Sequence, residues 1–395
     1  MIHRDSMELI QSIAPTMPVL CILGPRQAGK TTLARSCFPH YAQFLCDNEE
    51  TIAEINANPA AFLRTQLALA PGIIIDEFQL CPRILPAIKN YVDEAKSHGT
   101  IILSGSQNYL MMACISESLA GRVALIDLLP LSINELKQAA LLPQNIDDLL
   151  FTGSYPRLYV KPIPAKTTVY EGYIRTYLER DVRILLNVPD LAQFHKFIQL
   201  CAGRIGQLLN LSSLAADAGV SVKTAQQWIS LLETSYVIHL LRPHHANFNK
   251  QLTKNPKLYF HDTGLATQLL NIASAGTLSR HSLRGSLFEN FVINECIKWY
   301  YAKGQRPPIY FWRDAAGNEI DLIIDHAEKL IPVEIKSADI ARNNMTDGLI
   351  FWHNLTGHPI TNSYVIYTGT ANNNLTGPQF VPWENIPSFL SKLIV

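Results

Sequence analysis

No apolar run in this sequence approaches the ~18–20 residues that cross a bilayer. The opening residues Met1-Ile2-His3-Arg4-Asp5-Ser6 also carry no apolar signal-peptide core. The expectation is a cytoplasmic protein without membrane contact. Cysteine is sparse and scattered: seven, at 21, 37, 46, 81, 114, 201 and 296, an odd number with no CxxC pair. That pattern excludes a disulfide framework and a zinc knuckle and fits a reducing compartment. Net charge is missing too. With 33 Lys and Arg against 33 Asp and Glu, the whole-molecule field offers nothing to a polyanion, so any nucleic-acid contact must come from a local patch. Internal repeats and low-complexity tracts are absent. What remains, 48% hydrophobic and 17% charged residues, describes a packed globular protein rather than a disordered one. A chain of 395 residues carries roughly two to four domains.

The apolar run Val19-Leu20-Cys21-Ile22-Leu23 leads into Gly24-Pro25-Arg26-Gln27-Ala28-Gly29-Lys30-Thr31-Thr32, which matches GxxxxGK[ST]. Glycines at 24 and 29 let backbone N–H groups turn inward on an anion. Lys30 can reach the β- and γ-phosphates, Thr31 can place a hydroxyl on Mg²⁺, and a helix expected from near Thr32 turns its positive end to the same phosphates. The partners of such a loop follow in order. Ile73-Ile74-Ile75-Asp76-Glu77 reads as a buried parallel strand delivering two acids to the carboxyl edge of a sheet. Asp76 is expected in the Mg²⁺ shell, and Glu77 is expected to orient or deprotonate the attacking water. A helix from about 83 to 97 supplies the crossover. A third strand at Thr100-Ile101-Ile102-Leu103 ends in Ser104-Gly105-Ser106-Gln107, where Ser106 is the candidate for sensing the γ-phosphate.

The α/β pattern persists to Leu136, giving a first domain over 1–136. A helical lid or linker follows over 137–193, with Tyr170, Tyr173, Ile174, Tyr177 and Leu178 at helical spacing. An arginine from a neighbouring subunit often steadies the charge on a transferred phosphoryl group. Arg122 is the first candidate for that role in a homo-oligomer, and Arg180 the second.

The segment 194–272 reads as a winged helix-turn-helix. Residues 212–218 form one helix, Gly219-Val220-Ser221 the turn, and Val222–Leu232 a second helix capped by Ser221. Ala225, Ile229 and Leu232 face a core, leaving Lys223, Thr224, Gln226, Gln227 and Ser230 for a major groove. Strands at 237–241 and 257–260, with Arg242, His244, His245, Lys250 and Lys254 between them, would form a basic wing. A protein-docking module fits the same pattern.

The last segment, 273–395, holds a second constellation. Glu289 lies on a helix, Asp321 in the strand pattern Glu319-Ile320-Asp321-Leu322-Ile323-Ile324, and Glu334-Ile335-Lys336 in another. Alternation puts Glu334 and Lys336 on one side with Ile335 in the core, and a hairpin through 325–329 would bring Asp321 beside Glu334. Two carboxylates that share Mg²⁺, a lysine near water and a helical glutamate are what phosphodiester hydrolysis requires. Glu319 competes from the same face. The arrangement resembles the PD-(D/E)xK restriction-nuclease fold.

Over nearly its whole length the chain resembles a family of prokaryotic AAA-type ATPases that join a phosphate-binding-loop domain to a C-terminal domain of unknown function with a nuclease-like core. The resemblance is carried by residues 24–32, Asp76-Glu77-Phe78-Gln79, Leu103-Ser104-Gly105-Ser106, Leu119-Ala120-Gly121-Arg122 and Tyr177-Leu178-Glu179-Arg180-Asp181. Farther on it is carried by Lys257–Leu265, Arg284–Glu289 and Phe311-Trp312-Arg313-Asp314. It implies ATP and Mg²⁺ contacts at Gly29, Lys30, Thr31, Asp76 and Glu77, and a nuclease-like set at Glu289, Asp321, Glu334 and Lys336. Ser104 stands where threonine is usual, and Ser154 replaces a glycine. The expected architecture is α/β: an AAA-type P-loop domain with a parallel sheet, a helical and winged helix-turn-helix region, and a PD-(D/E)xK-like α/β domain. The expected function is Mg²⁺-dependent ATP hydrolysis coupled to action on DNA. The rivals are an ATP-switched docking protein with a silent nuclease fold, and a nuclease restrained by its nucleotide domain.

Overall fold

A computed structural model describes residues 2–95, 99–105, 115, 117–178, 191–244, 254–326, 329–369 and 377–393. Helix α1 (Met7–Ile13) precedes β1 (Val19–Leu23), α2 (Lys30–Cys37) and β2 (Ala42–Leu45). After α3 (Glu49–Ala57) and α4 (Pro59–Leu69) come β3 (Ile73–Asp76), α5 (Ile84–Ala95), β4 (Ile101–Gly105) and β5 (Val123–Asp127). The strands make one parallel sheet in the order β2-β3-β4-β1-β5. Strand alternation sorts its side chains to two faces. Val19, Cys21, Leu23, Ile73 and Ile75 pack on Ile55, Phe62, Leu63 and Ile88 of α3 to α5, while Leu20, Ile22, Ile74 and Ile102 pack on Ile10, Leu33 and Ala34 of α1 and α2. Both faces are covered, which is why these strands are continuous apolar runs. The loop after β1 therefore emerges at the carboxyl edge.

Helix α6 (Ile133–Gln138) opens with a capping box in which Ser132 and Glu135 satisfy each other's backbone N–H groups. Helices α7 (Ile146–Thr152), α8 (Lys166–Tyr173) and α9 (Leu191–Ala202) follow. Next, α10 (Leu211–Ala218) and α11 (Val222–Thr234) stand as helix, turn and helix. Gly219 closes α10 in the left-handed region and Ser221 caps α11. Lys223, Gln226, Gln227 and Ser230 are exposed, and Ala225, Ile229 and Leu232 are buried. Strands β6 (Ile238–Leu241) and β7 (Lys257–Phe260) pair antiparallel.

The ribbon is not a free wing. Beyond β6, Phe311 N donates to Arg242 O at 3.2 Å and His244 N to Phe311 O at 2.7 Å, so residues 242–244 lie along the edge of the C-terminal sheet. His244 is buried against Asp325, 3.3 Å away, and the ring of Tyr310. An unpaired strand edge gains backbone partners by this docking. Lys254 is exposed, whereas His245 and Lys250 lie outside the described residues.

After α12 (Thr263–Leu269) and α13 (Ala275–Leu278), the long α14 (Arg284–Ala302) runs beneath a mixed sheet of order β12-β11-β10-β9-β8. Its strands are β8 (Ile309–Arg313), β9 (Glu319–His326), β10 (Lys329–Lys336), β11 (Tyr364–Tyr367) and β12 (Gln379–Pro382). Helix α15 (Asp347–Thr356) covers the other face through Leu349 and Trp352, and α16 (Ile386–Leu393) packs on α14. One continuous apolar core joins the middle and C-terminal regions: Phe194, Trp228 and Tyr259 belong to the same cluster as Phe288, Ile324 and Trp383.

Buried charges fasten the first region to the last. Lys298 donates to Leu131 O at 2.7 Å and to Glu295 Oε1 at 2.8 Å, while Glu295 Oε2 accepts from Ile133 N at 2.8 Å. Lys298→Met leaves Glu295 charged and unpaired, and urea unfolding is expected to show a loss of ~3–5 kcal/mol, most of it recovered in Lys298→Met/Glu295→Met.

Candidate functional site

The loop after β1 reverses at Gly24, whose φ of 148° suits glycine and whose absent Cβ would otherwise strike the Leu128 carbonyl oxygen. Gln27 also has positive φ, 63°, and Gly29 at φ 94° caps α2. The helix starts at Lys30, earlier than the sequence reading placed it. Pro25 and Ala28 are buried, Arg26 half-buried, and Gln27 and Thr32 exposed. Lys30 is 6% exposed and donates to Gly24 O at 3.1 Å and Pro25 O at 2.9 Å, so its ammonium already lies inside the loop. Burial pulls Lys30 down to about 8 against the opposing pull of Glu77 and Asp76.

At the end of β3, Asp76 accepts from Thr31 Oγ1 at 2.5 Å through one oxygen and from Ser104 Oγ at 2.6 Å through the other. The pairing of β3 with β4 sets Asp76 level with Ser104, so the serine that departs from the usual threonine keeps the same hydroxyl. A hydroxyl and a carboxylate in contact offer the oxygen donors Mg²⁺ takes, and these residues fit that ion. Glu77 follows in the left-handed region at φ 50° and accepts from Gln79 Nε2. Sequence reasoning gave Gln79 no role, though it sits two residues beyond Glu77. Ser106 lies outside the described residues.

An apolar slot of about 240 Å³ opens beside the loop, lined by Ile2, Met7, Leu33, Leu131, Pro156 and Val160 with Gly29 and Thr32 at its mouth. Arg4 forms its polar wall. Its guanidinium donates to Ala28 O at 2.7 Å, Leu129 O at 2.6 Å and Glu135 Oε1 at 2.8 Å. Nothing in the local sequence flagged Arg4, because its partners lie up to 131 residues away.

Arg122 sits before β5, at the edge of the sheet opposite the loop, and its guanidinium forks onto Asp93 at 2.6 and 3.0 Å. That is a surface ion pair within one copy of the chain; a finger acts on a neighbouring copy, so the role stays a proposal. Arg180 lies outside the described residues.

In the C-terminal region the hairpin of β9 and β10 forms as expected and brings Asp321, Glu334 and Lys336 together, with Glu289 facing them from α14. Lys336 pairs with both Asp321, at 3.4 Å, and Glu334. The Asp321 oxygen that faces Lys336 also accepts from Ile335 N at 2.8 Å. Burial, with the Asp321 charge added, raises Glu334. Asp321, although burial opposes it, is held low by Lys336 and Lys257. Lys257 of β7 also enters the group, pairing with Glu289 at 2.9 Å and with Glu319, while Tyr259 donates to Glu289 at 2.5 Å. Every carboxylate here already has an ammonium or guanidinium partner, Arg313 reaching Glu319 at 2.9 Å. Among the described residues no group of three or more His, Cys, Asp and Glu is arranged to hold a metal ion. The residues do not fit the Mg²⁺ that the nuclease resemblance implies. Lys257 was quoted in the resemblance without a role, and its place two residues before Tyr259 on one strand face was the signal available.

Residues 16–137 match the AAA domain family, 143–276 a domain of unknown function (DUF8612), and 284–386 another (DUF4143). The match to a domain of unknown function gives the nuclease-like reading no support. The chain is 17% identical to the Walker-type ATPase paby2304 of Pyrococcus abyssi, covering 68% of this chain and 96% of that one at a TM-score of 0.45. An uncharacterized protein of Haemophilus influenzae is 23% identical over 63% of this chain and 62% of its own length. The uncharacterized proteins Rv2008c of Mycobacterium tuberculosis and Mb2031c of Mycobacterium bovis are each 30% identical over 337 residues, 85% of this chain and 74% of theirs. With its AAA domain and that shared length, the chain belongs to the family of these uncharacterized mycobacterial proteins.

Proposed function

We propose that the protein binds ATP in the loop of residues 24–32 and hydrolyses it with Mg²⁺, using the nucleotide state to change how its first region holds the rest. The observation that carries this reading is the convergence of Lys30, Thr31, Asp76 and Ser104 at one sheet edge beside the apolar slot. Backbone N–H groups of the loop and the amino end of α2 bind the phosphates. Lys30 exchanges the carbonyls of Gly24 and Pro25 for phosphate oxygens. The slot takes the flat apolar base, which the lining of Leu33, Pro156 and Val160 suits by shape and polarity. Thr31 and Asp76 hold Mg²⁺, which supplies charge neutralisation on the phosphates when bound. Glu77, once released by Gln79, orients the attacking water and takes its proton.

A second reading is favoured by the exposed row Lys223, Gln226, Gln227 and Ser230 on α11, whose side chains suit base edges and phosphates. It makes DNA the object of the nucleotide switch. With the ribbon docked on β8, the contact falls to α11 alone.

Lys30→Ala is expected to abolish binding of a fluorescent ATP analogue, and Glu77→Gln to bind it normally while turnover falls by ~10²-fold or more. Wild-type turnover in Glu77→Gln removes that acid from its role. The charged form of Lys30 binds phosphate and is lost as pH rises through about 8, so ATP affinity should weaken ~10-fold between pH 7 and 9. A flat titration contradicts the assignment. For the second reading, replacing Gln226 and Gln227 by alanine should weaken duplex binding by ~10-fold in an anisotropy titration at fixed salt, and unchanged binding rejects the α11 contact.

A further inference from the structure

Lys257 reaches the C-terminal carboxylates from outside the C-terminal sheet. It begins β7, in the ribbon that follows the helix-turn-helix, and its side chain is 3% exposed. Its ammonium meets Glu289 of α14 at 2.9 Å and Glu319 at the start of β9. The approach is built from several sides. Tyr259, on the same strand face, donates to Glu289 at 2.5 Å. Asn290, the next residue of α14, accepts from Phe260 N at 2.6 Å and donates to Phe260 O at 2.9 Å. Gly206 donates its N–H to Leu258 O at 2.8 Å, closing the strand's other side. The ribbon cannot drift from α14 without leaving these groups unpaired in the interior.

We infer that Lys257 is a built-in cation. Its ammonium takes the place a divalent ion would take between Glu289 and Glu319, and turns a carboxylate cluster of nuclease-like layout into an ionic latch between the ribbon and the C-terminal sheet. The charges support this. Four carboxylates, Glu289, Glu319, Asp321 and Glu334, face three cations, Lys257, Lys336 and Arg313, so little net charge is left to draw in a metal. Mg²⁺ demands about six oxygen ligands in a tight octahedron. Here Glu289 and Glu319 already turn oxygens toward an ammonium that a divalent cation would repel at this range. Metal occupancy and ribbon docking are therefore mutually exclusive. While the latch is closed the C-terminal domain is inert toward divalent ions, and withdrawal of β7 leaves Glu289 without a cation and Glu319 with Arg313 alone.

The test is Mn²⁺ titration of the full-length chain without nucleotide, followed by electron paramagnetic resonance, comparing wild type, Asp321→Asn, Lys257→Met and Lys257→Met/Asp321→Asn. The latch predicts identical Mn²⁺ uptake in wild type and Asp321→Asn. It predicts about one added site, at least ~10-fold tighter than any wild-type binding, in Lys257→Met, and loss of that site in the double variant. Amide exchange at residues 257–260 should rise in Lys257→Met, while ATP turnover stays as in wild type. Two results overturn the inference: wild-type Mn²⁺ binding that Asp321→Asn removes, or a folded Lys257→Met, checked by near-ultraviolet circular dichroism, that gains no site. Lys257→Gln, uncharged but still a donor to both carboxylates, is subject to the same criteria if Lys257→Met does not fold, and the wild-type comparison decides independently of both.

Discussion

A buried helix that carries polar residues constrains everything around it. Helix α14 has 19 residues, and Asn290, Asn294, Glu295 and Lys298 are buried in its interior-facing surfaces. Each must find a partner, because an unsatisfied buried amide or charge costs more than most single contacts return. Those partners come from every other part of the chain. Arg284 forks onto Asp147 of α7, Glu289 receives Lys257 and Tyr259, Asn290 and Asn294 bind the Phe260 backbone, and Glu295 and Lys298 hold the turn before α6. The order of these contacts along one rod sets where the middle region, the ribbon and the nucleotide-binding domain attach. Apolar packing supplies the area, but it is less selective about position.

The nucleotide domain was legible because its signals are local. Consecutive residues such as Gly24 to Thr32 must sit in one loop, and a β-branched run ending in Asp76 and Glu77 has few structures open to it. The hairpin that gathers Asp321, Glu334 and Lys336 was also readable, since strand alternation and a short turn fix which side chains meet. What escaped was long-range. Arg4 contacts Ala28, Leu129 and Glu135, and no periodicity near the amino terminus announces this. Lys257 opened a strand-like segment and had no role of its own in the sequence. Its partners, Glu289 and Glu319, are assembled by tertiary packing alone. The ribbon itself read as a wing. A strand pair with basic neighbours looks alike whether its edge faces water or another sheet, and only the unpaired edge of β8 makes docking the lower-energy choice.

Ser154 shows how a small departure in sequence gains meaning from packing. Its N–H donates to Asp262 at 2.7 Å, its hydroxyl to the same carboxylate at 3.2 Å, and Lys298 approaches that hydroxyl at 3.3 Å. Asp262 also caps α12 and accepts from Tyr170 at 2.6 Å. A glycine at 154 would leave the backbone bond but remove the hydroxyl between a buried anion and a buried cation. The substitution therefore adds to the junction that holds α8, α12 and α14 together, rather than merely reshaping a loop.

That junction meets the phosphate loop through Arg4. One guanidinium binds the carbonyl of Ala28 inside the loop, the carbonyl of Leu129 after β5, and Glu135. Glu135 also accepts from Ser132 N at the start of α6, and the next residue, Ile133, donates its N–H to Glu295 of α14. Phosphate binding draws loop N–H groups inward, and any rotation of the peptide at Ala28 must either stretch a charge-assisted bond in a buried site or carry Arg4 with it. Stretching such a bond is costly where water cannot replace it, so moving Arg4 is the softer response. Arg4 in turn cannot move without disturbing Glu135 and the capping box. The members of this chain of contacts are buried and hydrogen-bonded to one another, so none moves without its neighbour. A nucleotide-dependent change at residue 28 therefore has a short path, four hydrogen bonds long, to the helix that positions the rest of the molecule.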